Sequence, residues 1–124
     1  MRTVLHCSAG APDAQRHALA NAANLLADET VALSAVAVVF NGDGVEAVRA
    51  DSSVADDVRG LLARTPEETN AADAPSIEVC ACGNSLAGRD IPADELVYGV
   101  DVVSSGVGEL TRRQADGYAY VKAP

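Results

Sequence analysis

Short apolar runs rich in β-branched residues alternate with stretches of helical periodicity. This alternation constrains the fold more than any other feature of the chain. The clearest run, from Val31 to Phe40, is a nearly continuous series of β-branched and small apolar residues. Such a run marks a strand buried on both faces, the habit of parallel sheets. Thr3 to Cys7, Ile77 to Ala81, Val100 to Val103 and Tyr118 to Val121 are four further candidate strands.

Between the strands the period changes. Pro12 and Asp13 open a helix running through Ala27, because proline suits a first turn and an acid suits the positive end of the dipole. Leu19, Ala22, Ala23, Leu25 and Leu26 form its apolar face. Asn41-Gly42-Asp43-Gly44 stops the second strand with a tight turn, and Val45 to Val48 follow as a short helical turn. Asp51-Ser52-Ser53 reads as a cap for a helix from Val54 to Arg64, with Val54, Val58, Leu61 and Leu62 on one side. Thr65 to Ser76 reads as an exposed, mobile loop. A short helical segment follows Gly83-Asn84 to about Gly88. Another leads from Ser104-Ser105-Gly106 to near Gly117, where glycine suits a C-cap.

This order predicts one α/β domain over residues 1–124, with a mainly parallel five-stranded sheet and right-handed crossovers. Ligands of such sheets sit outside the carboxyl ends of the strands. The loops there are Cys7 to Pro12, Asn41 to Gly44, Cys80 to Asn84 and Ser104 to Gly108, and they hold all three cysteines.

Charge narrows the partners. The chain has 18 acidic against 9 basic residues, a formal charge of −9 and a pI near 4.4. Nucleic acid is excluded as a partner, since its phosphates demand a basic footprint, and so is adsorption to anionic membranes. Alanine and valine abound, while lysine, phenylalanine and methionine occur once each. This composition fits a halophilic, high-salt cytoplasm, or equally an ordinary acidic protein from a GC-rich genome. Arg2 precedes too short an apolar stretch for a signal peptide, and no run approaches a membrane span. A cytoplasmic location is expected, where thiols stay reduced, and three cysteines are too few for a disulfide scaffold.

The segment Cys80-Ala81-Cys82-Gly83-Asn84-Ser85 is the sharpest chemical feature. Cys82 falls where a strand ends and a helix begins, and N–H groups at a helix start favour a thiolate. Gly83 allows close backbone approach, and Asn84 can cap the helix. The same spacing also describes an inert buried cysteine at a strand end. Cys80 shares the strand's alternation with Cys82. It is either core or a group that assists or resolves a modified Cys82. Asn41, Gly42 and Asp43 are candidates for a pocket wall, since their loop lacks the Walker lysine and the Rossmann spacing. His6-Cys7 with Cys80-x-Cys82 departs from zinc spacing, and His6 and Cys7 should face opposite sides of their strand, so no metal is assigned. Ser104 and Ser105 have no histidine and acid partners for a hydrolase triad. The acidic pairs and His17 read as surface.

With these residues in view, the chain resembles the DsrE/DsrF-like group of small sulfur-relay proteins. The resemblance is carried by Val38 to Glu46 (VVFNGDGVE), Cys82 to Leu86 (CGNSL), Ser105 to Leu110 (SGVGEL), Gln114 to Lys122 (QADGYAYVK) and the early Asn21 to Leu26 (NAANLL). It implies a three-layer α/β/α sandwich related to flavodoxin-like folds, assembled as a trimer or hexamer. It also implies that a cysteine matching Cys82 carries sulfur as a persulfide in the relay members, while many other members have no assigned function.

The leading expectation is therefore a sulfur-trafficking protein that needs no cofactor and exchanges sulfur with a donor or acceptor protein through Cys82. A non-enzymatic oligomeric module binding a small ligand at the same strand ends is the alternative. A metal or redox sensor built on Cys7, Cys80 and Cys82 is a third. Val97, Tyr98, Val102, Tyr118 and Tyr120 are candidate contacts between copies of the chain.

Overall fold

The computed structural model describes residues 1–64 and 74–124. Five strands form one sheet: β1 (Arg2–Cys7), β2 (Ala35–Phe40), β3 (Ser76–Cys82), β4 (Asp101–Val103) and β5 (Tyr118–Lys122). Four α-helices connect them: α1 (Pro12–Ala27), α2 (Ala55–Leu62), α3 (Gly83–Gly88) and α4 (Gly106–Ala115). Short 3₁₀ segments span Gly42–Val48 and Ala93–Glu95. The spatial order is β4-β3-β2-β1-β5, and every pairing is parallel, where the sequence suggested only a mainly parallel sheet.

The two faces are covered by different helices. Leu5, Val36, Val38, Phe40 and Val79 pack with Ala18, Leu19 and Ala22 of α1 and with Val58 and Leu61 of α2. The alternate residues Val4, Ala37, Val39 and Cys80 pack with Leu110 of α4. The result is a three-layer α/β/α sandwich. β2 is buried along its whole length, as its unbroken apolar run requires.

Strand order has one further consequence. From β1 to β4 the chain steps steadily across the sheet, then jumps to the far edge for β5. The connections after β1, β2 and β3 run over one face, and α4 crosses the other. The divergence falls between β3 and β4, and open α/β sheets bind ligands at such a switch point.

Several boundaries move from their sequence positions. Val31 to Ser34 stand outside β2, because Ser34 and Met1 close a turn there and Ser34 N–H donates to the Met1 carbonyl at 2.7 Å. Helix α2 is shorter than expected at both ends, and Val54, at its cap position, supplies no side-chain cap of its own. Ser52, in the expected capping segment, donates its hydroxyl to the Ala47 carbonyl at 2.7 Å and accepts the Val54 N–H at 3.3 Å. Val97 is 3 % exposed and belongs to the core, so it is withdrawn as an intermolecular contact, whereas Tyr98 is 98 % exposed. The loop expected over 65–76 lies outside the described residues from 65 to 73, and Ser76 already belongs to β3.

Candidate functional site

The carboxyl ends of β1, β2, β3 and β4 bring the four expected loops together around Cys82. Strand β3 ends at Cys82, and α3 begins at the next residue with no loop between them. Gly83 is needed for this close passage: a methyl group there would stand 2.7 Å from the Val103 carbonyl oxygen at the end of β4. Cys82 caps α3 with its own sulfur, which accepts the Ser85 N–H at 3.4 Å. That role had been assigned to Asn84. The sulfur takes it because the chain leaves the strand directly into the helix, which places Cys82 at the capping position and Asn84 inside the first turn.

A second helix also aims at this sulfur. Ser105 caps α4, accepting the Gly108 N–H at 3.0 Å. Gly106, the first residue of α4, packs against Cys82, a methyl on it falling 3.4 Å from the Cys82 Cβ, and its backbone favours the thiolate. The switch point explains the convergence, since β3 feeds a helix on one face and β4 a helix on the other.

The electrostatics follow from these donors. Burial pushes the Cys82 thiol up, since the residue is only 5 % exposed. Hydrogen bonds from the Ser85 hydroxyl and N–H, and from the backbone of Gly106 and Asn84, outweigh that effect and bring the thiol below its ordinary value. Ser85 is held in turn, because the Gly42 N–H donates to its Oγ at 2.8 Å.

The other cysteines have opposite surroundings. Cys80 packs under α4 and is pushed up to about 12, burial being the largest cause and the nearby Arg113 opposing it. Cys7 is raised by burial and donates its S–H to the Pro124 carbonyl. Cys80 and Cys82, though two residues apart on one strand, pack into different clusters. The alternation that pairs them ends where the strand does.

Asn41 packs beside Cys82 against Gly106. A methyl at Gly106 would lie 2.9 Å from the Asn41 Cβ and 3.4 Å from the Cys82 Cβ, so these two side chains flank the same point. Asn41 Oδ1 lies 2.8 Å from His6 Nε2, and His6 Nδ1 lies 2.8 Å from the Tyr120 hydroxyl. Gly42 meets the site through its N–H, whereas Asp43 turns away and pairs with Arg89, which also reaches Glu46 at 3.3 Å. Ser85, Gly106, His6 and Tyr120 were not assigned to a site from sequence. Ser85 and Gly106 lay inside noted motifs, but their joint approach to one sulfur depends on strand order.

His6-Cys7 and Cys80-x-Cys82, to which no metal was assigned, do not meet as one ligand set among the described residues. His6 and Cys7 leave β1 on opposite faces, one toward Tyr120 and Asn41, the other toward Pro124. Among the described residues, Glu78, Cys80 and Asp101 bring ligand atoms within 4.8 Å of one another. Arg113 already occupies this cluster, paired with Glu78 and 3.7 Å from the Cys80 sulfur. A guanidinium beside a protonated thiol does not suit a cation. A cleft of about 540 Å³ beside Leu62, Ile77, Val97 and Tyr98 lies away from Cys82.

A family model described as DsrE/DsrF-like matches residues 1–123. A protein of unknown function, MTH1491 from Methanobacterium thermoautotrophicum, is 33 % identical and superposes with a TM-score of 0.82, over 98 % of this chain and 97 % of the other. The ychN protein from E. coli is 15 % identical with a TM-score of 0.70, over 98 % and 99 % of the two chains, a likeness of fold. No curated protein matches the chain.

Proposed function

We propose that this chain, which belongs to the DsrE/DsrF-like family, is a sulfur carrier that holds sulfane sulfur on Cys82. The observation that carries the reading is the convergence of donors from the starts of α3 and α4 on one sulfur. A thiolate is the reactive form of cysteine, and these donors favour it. In the transfer, the Cys82 thiolate attacks the outer sulfur of a donor persulfide, R–S–SH. The donor's S–S bond breaks, R–S⁻ leaves, and Cys82–S–SH remains. An acceptor thiolate then attacks the outer sulfur of Cys82–S–SH and releases the Cys82 thiolate. Atoms and charge balance at both steps, and no oxidant or cofactor enters.

The same donors that lower the thiol's proton affinity also make Cys82 a good leaving group in the second step. Cys80 and Cys7, both raised, take no part in the exchange. This chemistry belongs in a reducing compartment such as the cytoplasm. The acidic surface favours a donor or acceptor protein with a basic face. Exposed Tyr98, Val102 and Tyr120 offer apolar contacts for assembly into a homo-oligomer.

The test is mass spectrometry of the protein after incubation with a small persulfide. One added sulfur is expected on Cys82 of the wild type and none on Cys82→Ser. An unlabelled wild type, or equal labelling of the variant, would overturn the reading.

A further inference from the structure

The geometry points to Asn41 as the residue that holds the outer sulfur of the Cys82 persulfide, with His6 and Tyr120 as positioning residues behind it. This inference rests on the carrier reading above and adds a recognition group to it.

The donors around Cys82 are all spent on its own sulfur. The Ser85 hydroxyl and N–H and the backbone of Gly106 and Asn84 reach Sγ, and the Gly42 N–H is engaged by Ser85. A persulfide carries its negative charge on the next sulfur, one bond farther from the helix starts. That atom needs a donor of its own, because an anion in a recess without one bears a desolvation penalty.

Asn41 stands in position to supply it. Its side chain and that of Cys82 both pack against Gly106, where a methyl would meet the Asn41 Cβ at 2.9 Å and the Cys82 Cβ at 3.4 Å.

The orientation of the amide decides whether Asn41 attracts or repels an anion. Oδ1 faces His6 Nε2 at 2.8 Å, so that nitrogen carries the proton and donates. A ring protonated there alone accepts the Tyr120 O–H at Nδ1, 2.8 Å away. Oδ1 is thereby committed to His6, and the two Nδ2 protons remain. Among the described residues no acceptor takes them, and no buried side-chain nitrogen or oxygen lacks a partner, so Nδ2 opens on solvent. Tyr120, His6 and Asn41 thus form one hydrogen-bonded chain that ends in the amide donors of a residue packed beside Cys82.

The experiment loads Cys82 with cysteine persulfide and measures two quantities by mass spectrometry. One is the fraction of Cys82 bearing an added sulfur at equilibrium. The other is the pH midpoint of Cys82 alkylation in the unloaded protein. Asn41→Ala should lower the loading constant by about tenfold, the scale of one hydrogen bond to a charged group. The isosteric Asn41→Asp, which keeps the local shape and replaces the donor by a carboxylate, should lower it further. His6→Leu should reproduce much of the loss. In Asn41→Ala and His6→Leu the alkylation midpoint should stay at the wild-type value, whereas the added carboxylate of Asn41→Asp should raise it. Normal loading of Asn41→Ala and Asn41→Asp would overturn this inference while the carrier reading stands. Normal loading of His6→Leu would remove the positioning role. A shifted midpoint in Asn41→Ala would mean that Asn41 acts on the thiol and would also overturn it. A wild type that takes no sulfur would overturn both readings.

Discussion

Three thiols with the same intrinsic chemistry occupy this chain, and their surroundings separate them. Cys82 is lowered by donors that overcome its burial, whereas burial raises Cys7 and pushes Cys80 up to about 12. Alkylation followed over pH should therefore show Cys82 reacting first, with a midpoint below that of an ordinary thiol. Cys80 should stay silent until strongly alkaline pH. Equal rates for the three at pH 8, read by peptide mapping, would contradict this ordering. The sign of the linked stability differs as well. A lowered Cys82 adds stability that is fully present above the unfolded thiol value and is lost as pH falls through the folded value. Cys80, being raised, costs stability as pH climbs above the unfolded value, because only the unfolded chain ionises there. Ser85→Ala, which removes one of the donors, should move the Cys82 alkylation midpoint upward by up to about one unit.

At the scale of elements, the site depends on two helix starts meeting at one strand end. α3 has only six residues and gains its place from the direct turn out of β3. α4 is the longer of the two and is well prepared by its sequence. Ser105 caps it, Glu109 sits in its first turn, and Arg112 and Arg113 lie in its last turn. Glu109 pairs with Arg113 at 2.7 Å, and Arg113 spans onward to Glu78 and the Tyr118 hydroxyl, tying α4 to β3 and β5. Two substitutions probe this arrangement. Gly83→Ala should destabilise the protein by about 1–3 kcal/mol, since the added methyl meets the rigid Val103 carbonyl rather than a yielding side chain. Ser105→Ala should cost about 1 kcal/mol by removing the cap. Denaturant melts would measure both. A Gly83→Ala protein as stable as the wild type would show that the end of β4 is free to move.

For the whole molecule, the dominant quantity is the formal charge of −9 on a chain with a single lysine. Its ion pairs are mostly exposed, such as Arg59–Asp56 and Arg16–Asp13, and such pairs are individually worth little. Self-repulsion among unpaired carboxylates is the larger collective effect, and salt screens it as the Debye length falls from about 10 Å at 0.1 M to about 3 Å at 1 M. The thermal midpoint should rise with sodium chloride over that range. Calorimetry showing a flat or falling midpoint would mean that the ion pairs outweigh the repulsion.

Much of this molecule was legible in the chain. The buried run ending in Phe40, the Pro12 start of α1 and the Gly117 stop of α4 follow from hydrophobic period and backbone chemistry, which act locally. So does the placement of Cys82 at a strand-to-helix junction. The extra residues before Ala35 were misread because apolar composition alone does not show where a strand loses its neighbour. Val97 looked like a surface contact because its burial depends on distant elements. The convergence of Ser85 and Gly106 on the Cys82 sulfur, the reach of His6 to Asn41, and the separation of Cys80 from Cys82 were decided by tertiary structure. The pairing of β1 with β2 brings His6 beside Asn41, the divergence between β3 and β4 brings the start of α4 to Cys82, and the end of β3 parts Cys82 from Cys80. Local sequence determined which elements form and where a reactive thiol could stand, while the strand order decided which donors surround it.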